Sequence, residues 1–261
     1  MFYLASCSCV KDEDPYIDDF IRIHKYLGVE FFLFFDRSKN PLSKRFSGRS
    51  DIKVIDFPEP NRHADAWREG IKYLTGKTKW AQFIDIDQVT TPTKVNDLRT
   101  MLSPYESFAS LGLNWHSFGS AGREVEPDIS TYLAYTKRAK SVEPINNHIQ
   151  SIVQPDKIIP NTWGDPHHPP VKPGETQINE KYQPFKGPFN KPPTQEVGFI
   201  AHYYTRSREY WAKKIAKNRA DTGTSGGTMA DFDHHQIYMN VEDDFRIKDI
   251  WDKANEKYPS I

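Results

Sequence analysis

The chain has 261 residues, 37% of them apolar and 27% charged, so it can bury a large core and is not a disordered or low-complexity polymer. Lys plus Arg and Asp plus Glu both number 35, which excludes a strong net field toward nucleic acid or an anionic membrane. Its two cysteines, Cys7 and Cys9, exclude a disulfide-dense secreted scaffold and read as free thiols, and the opening "MFYLASCSCVKDEDP" lacks a basic leader, so a soluble, cytoplasmic protein is expected.

Tyr3 to Val10 reads as a short buried strand. Asp14 can cap the next element and Pro15 suits its first turn; Ile17, Phe20, Ile21, His24 and Leu27 then recur at helical spacing until Gly28. Val29 to Phe35 is a near-continuous apolar run, the mark of a strand covered on both faces. A basic loop leads to a strand at Ile52 to Phe57, a helix at Ala64 to Leu74, and further strands at Trp80 to Ile84 and Phe108 to Trp115. This alternation predicts an α/β domain with a mostly parallel central sheet flanked by helices. Beyond residue 120 the rhythm loosens. Trp163 to Glu196 is proline-rich and reads as a long ordered loop, Arg208 to Arg219 as a helix, and "DTGTSGG" as a turn-rich connector.

The stretch "KWAQFIDIDQVTTP" ends a buried strand on two carboxylates, Asp85 and Asp87. In open α/β sheets ligands bind outside the carboxyl ends of strands, and like charges two residues apart call for a cation. A divalent ion with oxygen ligands, Mn²⁺ or Mg²⁺, completed by substrate phosphates, fits that pattern. Two other readings stand beside it. One is an ordinary turn or helix cap; the other is a haloacid-dehalogenase-like phosphatase whose nucleophilic aspartate opens an Asp-x-Asp.

Five blocks carry a family resemblance. "SCSCVKDEDPYIDDFIRIHKYLGVEFFLFFDRSKN", "WAQFIDIDQV", "LNWHSFGSAG", "HIQSIVQPDKI" and "IAHYYTRSREYWAKK" resemble, in order, segments of glycosyltransferase family 92 and its relatives in the glycosyltransferase 2-like superfamily. The resemblance implies one GT-A domain over residues 1–261, with a nucleotide-sugar-binding half at 1–122 and a loop-rich acceptor-shaping half at 123–261. It further implies metal-dependent, inverting transfer of a sugar from a UDP-sugar donor to a hydroxyl of a glycan acceptor, and the anchor-free form is similar to members encoded by large algal viruses, which would act in the host cytoplasm. Departures fall near the donor site: Asp12-Glu13, Asp36-Arg37-Ser38, Gln88 and Gln150 stand where relatives carry other residues. The alternative they support is an inactive carbohydrate- or nucleotide-binding module.

On this resemblance Asp87 and His202 ligate Mn²⁺ or Mg²⁺, with Asp85 on the ribose or reaching the metal through water. Ser8, Lys11, Asp36 and Arg62 line the base and pyrophosphate pocket, with Arg206 and Arg208 as alternative cations, and Trp115 stacks on a sugar ring. Inversion needs a carboxylate to take the acceptor proton. Asp233, Asp165 and Asp231 are the candidates, in that order. His167 is placed beside the cleft, and "TSGG" at Thr224 to Gly227 is read as a closing segment.

Overall fold

The run Phe31 to Phe35 is apolar at every position because both of its faces are covered. Phe32 and Phe34 join one core cluster with Leu4, Phe20, Trp80 and Trp115, while Phe31, Leu33 and Phe35 join a second with Cys7, Trp67, Phe83 and Trp163. Alternation along a strand divides neighbouring side chains between the faces, and each fully buried Phe or Leu contributes about 1.5–3 kcal/mol. The computed structural model describes residues 1–58, 63–165, 167–216 and 226–261.

Strand β1 (Phe2–Val10) leads to helix α1 (Asp14–Tyr26), β2 (Phe31–Asp36), β3 (Ile52–Asp56), α2 (His63–Leu74), β4 (Thr78–Phe83) and β5 (Gln88–Pro92). Then come α3 (Leu98–Leu102), β6 (Ser110–Ser117), α4 (Thr131–Ala134), β7 (Lys137–Arg138), β8 (Ile149–Val153), β9 (Gln177–Asn179) and β10 (Gly198–His202). The chain closes with α5 (Arg208–Ala216), α6 (Met229–Met239), β11 (Glu242–Asp243) and α7 (Arg246–Lys257). Among the described residues the main sheet runs β3-β2-β1-β4-β8-β6-β10-β5, with β9 beside β6, and β7 pairs with β11 in a small ribbon.

The expectation of a mostly parallel GT-A sheet is corrected here. Strands β3, β2, β1 and β4 are parallel, but β8 runs antiparallel to both β4 and β6, and β5 antiparallel to β10. The sheet is therefore mixed. The regular early rhythm gave no sign of β8, because a five-residue apolar strand brought back from residue 149 carries no local mark of its partners.

Helix α2 packs close on the sheet through Gly70, where an added Cβ would lie 2.7 Å from Cys7 Sγ and 2.9 Å from Phe83 Cε1. At α1 the N-cap is Glu13, without a side-chain cap bond, so the predicted capping role of Asp14 is corrected: it lies inside the first turn and pairs with Arg45. The proline-rich stretch is ordered by a buried amide cluster in which Asn190 Nδ2 donates to Asn114 Oδ1 at 2.7 Å and Asn179 Nδ2 to Asn190 Oδ1 at 3.0 Å. Both cysteines are free thiols. Among the described residues no helix is long and apolar enough to cross a membrane.

Candidate functional site

Asp85 and Asp87 flank the tight turn between β4 and β5. Gln88 N donates to Asp85 O at 3.1 Å, and Gln88 Oε1 accepts from Asp85 N at 3.2 Å. The turn separates the two carboxylates. Asp85, with its side chain 44% exposed, faces His63 Nε2 at 3.3 Å, whereas Asp87, 11% exposed, faces Lys214 Nζ at 3.0 Å and His202 Nε2 at 3.5 Å. Burial alone would raise the Asp87 pKa, but Lys214, His202 and Arg206 together overcome it and hold the carboxyl ionised, well below the usual carboxylate range.

Beside Asp87 stands a wall of rings from four segments. Trp115 on β6 stacks on His148 at 4.6 Å between centroids and meets His202 at 4.3 Å and His167 at 5.5 Å, both edge-on. His167 Nδ1 lies 2.8 Å from Ile149 O and 3.1 Å from Gln150 Oε1. Two acceptors there require the proton on Nδ1, leaving Nε2 as its acceptor nitrogen. Gln150 also donates to Phe83 O, so it ties β8 to the end of β4. Burial lowers the pKa of His148 to about 4 and lowers that of His167 as well, so both rings are neutral near pH 7. Across Asp87, the Arg206 guanidinium is sandwiched between the rings of Tyr16 and Tyr210, at 4.1 Å and 4.4 Å.

This rim concentrates buried polar atoms that find no hydrogen-bond partner among the described residues: Asp87 Oδ1, His148 Nδ1, His202 Nδ1, Trp115 Nε1, and Nε and Nη1 of Arg206. Leaving one such group unpaired costs about 1–3 kcal/mol, so a cluster of them marks a place where ligand or water supplies the missing partners. Ser8 Oγ on β1 is another.

The remaining expected site residues fall in varied places. Asp36 accepts through its two oxygens from Ser38 N at 2.9 Å and Leu42 N at 2.6 Å, which fixes the loop after β2. Asp231 is the N3 member of a capping box with Thr228, and Asp233 pairs with Arg208 on the exposed side of α6. Asp165 accepts from His167 N at 2.9 Å and so shapes the loop that presents His167. Each of these three acids therefore has a partner of its own within the chain. Lys11 follows β1 at the same edge. Arg62, Thr224 and Ser225 lie outside the described residues. Sequence reasoning gave no role to Lys214, His63 or His148. Lys214 lies 127 residues from Asp87, and no local pattern signals such a pairing.

The residues present do not fit a protein-built Mn²⁺ or Mg²⁺ centre. Among the described residues no group of three or more His, Cys, Asp or Glu side chains is placed to hold a metal, Asp85 is turned to His63, and an ammonium occupies Asp87 Oδ2.

No family model matches the chain. A glycosyltransferase family 92 protein of Arabidopsis thaliana is 24% identical over 193 residues, covering 66% of this chain and 32% of that protein, so the chain spans about a third of the length of the curated relative it matches. Among solved structures, a 4-diphosphocytidyl-2C-methyl-D-erythritol synthase is similar with a TM-score of 0.37 at 10% identity, covering 60% of this chain and 78% of that one. The corresponding synthase of Anaerococcus prevotii gives 0.31 at 10% identity, covering 59% and 70%.

The expectations drawn from the family resemblance are corrected accordingly. Membership of glycosyltransferase family 92 is not established by so distant and partial a match, and the sheet is mixed. The Asp-x-Asp metal site is not formed by Asp85, Asp87 and His202 together. Metal-dependent inverting glycosyl transfer, with its nucleotide-sugar donor and glycan acceptor, loses its basis with them.

Proposed function

We propose that the chain binds a nucleotide, with its diphosphate at the rim formed by Asp87, His202 and Lys214 and its base and ribose toward the ends of β1 and β2. One observation carries this reading: unpaired buried polar atoms cluster around an ionised carboxylate at the carboxyl edge of the sheet, where ligands of α/β proteins gather. Ser8 and Lys11 would meet the base side, and Trp115 supplies an aromatic face within the ring wall. Residues 1–122 then contribute Ser8, Asp87 and Trp115, and residues 123–261 contribute His148, His167, His202 and Lys214. Free thiols at Cys7 and Cys9 suit a reducing, cytoplasmic setting.

The test is a thermal-shift and calorimetry panel of UDP, CDP, ADP and GDP, each with and without Mn²⁺. At ligand concentrations near a hundred times Kd, the preferred diphosphate should raise Tm by about 5 °C. A panel giving neither heat nor shift with any of the four would overturn the reading.

A further inference from the structure

The contact that spoils the metal site has a chemistry of its own. Lys214 Nζ lies 3.0 Å from Asp87 Oδ2 and 3.0 Å from Tyr204 O, with the Tyr204 ring centroid at 4.9 Å. An ammonium has three N–H donors, and these two acceptors take two of them. The third has no partner among the described residues, and the side chain is 33% exposed. A long, flexible side chain is thus fixed at its tip before any ligand arrives, which removes most of the entropy cost of fixing it later.

Charge points the same way. Asp87 already lies between two cations, the Lys214 ammonium at 3.0 Å and the nearby Arg206 guanidinium, so its charge is met without a metal ion. A divalent ion would have to displace the ammonium from Asp87 and then sit beside a buried guanidinium.

Resting on the nucleotide reading above, we infer that Lys214 grips the ligand's phosphate where a divalent ion would otherwise serve, and that Asp87 and Tyr204 O position the ammonium. Lys214 is the specificity residue for phosphate, and Asp87 is a positioning residue acting through it.

Calorimetry on the full chain with UDP, uridine, inorganic pyrophosphate and Mn²⁺ alone tests this, using the native protein, Lys214→Met and Lys214→Arg. The expected result is UDP and pyrophosphate binding that persists in EDTA within about threefold, falls about 30-fold in Lys214→Met and recovers to within about tenfold in Lys214→Arg, with uridine binding unchanged. Diphosphate binding that requires Mn²⁺, or that is unaffected in a folded Lys214→Met protein, overturns the Lys214 assignment while leaving the nucleotide reading in place. Lys214-dependent pyrophosphate binding with UDP no tighter than pyrophosphate supports the assignment and overturns the nucleotide reading. Absence of binding by UDP and pyrophosphate alike overturns both.

Discussion

Two carboxylates at opposite ends of β10 make an instructive pair. Glu180 accepts from Glu196 N at 2.7 Å through one oxygen, and from Val197 N at 2.7 Å and Gly198 N at 3.2 Å through the other, locking the proline-rich stretch onto the start of β10. Asp87 instead has a side-chain ammonium on one oxygen and an imidazole at 3.5 Å on the other, amid neighbours with unpaired polar atoms. A carboxylate closed by backbone donors is doing structural service. One held by side chains, with vacancies around it, retains the capacity to exchange partners.

That contrast can be broken most forcefully at Glu180. Glu180→Ala should cost about 3 kcal/mol, since it strands backbone donors away from water, and urea unfolding would measure it; the folded fraction should bind UDP as the native chain does. A mutant as stable as the native chain would mean that the closed carboxylate is dispensable. Acid should act next and more broadly. Burial lowers the pKa of His24 and His148 to about 4 and of His116 to about 3, and Asp87 is also held low. Between about pH 6.5 and 4 the unfolded chain therefore binds more protons than the folded one, so stability is full above that window and falls as pH drops through it. Melts from pH 7 to pH 4 should show Tm declining steadily, and a flat profile would contradict the buried neutral imidazoles.

Asp87→Asn sharpens the comparison from the other side. It should weaken UDP about tenfold by releasing the ammonium, which paired titrations of the native and mutant proteins decide. Native UDP affinity in a folded Asp87→Asn protein would show that Asp87 does not position the ammonium. Least affected should be Asp233→Ala, an exposed α6 residue whose partner Arg208 opens α5: UDP titration should return the native affinity.

What was legible in the sequence was local. Apolar runs at Tyr3–Val10 and Val29–Phe35, and the helical spacing of Ile17, Phe20, Ile21 and His24, anticipate β1, β2 and α1 to within two or three residues because each is fixed by its own period. Strands β5, β8 and β10 carry no such local mark, since they are five residues each and gain their meaning from partners far along the chain. The carboxyl edge of β4 was found from Asp85 and Asp87, but their divergence was not, because it depends on the turn that Gln88 closes and on His63 and Lys214 waiting on opposite sides. The place of Asp231 is hidden for a simpler reason: a capping-box acid looks like any other until the helix start is known.

The placement of β8 has a consequence for the order in which this molecule is made. Ala81 and Gln82 on β4 pair with Val153 and Ile152, so a growing chain that has completed its first four strands holds β4 as a bare margin until some seventy further residues have been added. During synthesis that margin invites pairing with a neighbouring nascent chain, and the rim around Asp87 can come together only after β10 and α5 have followed.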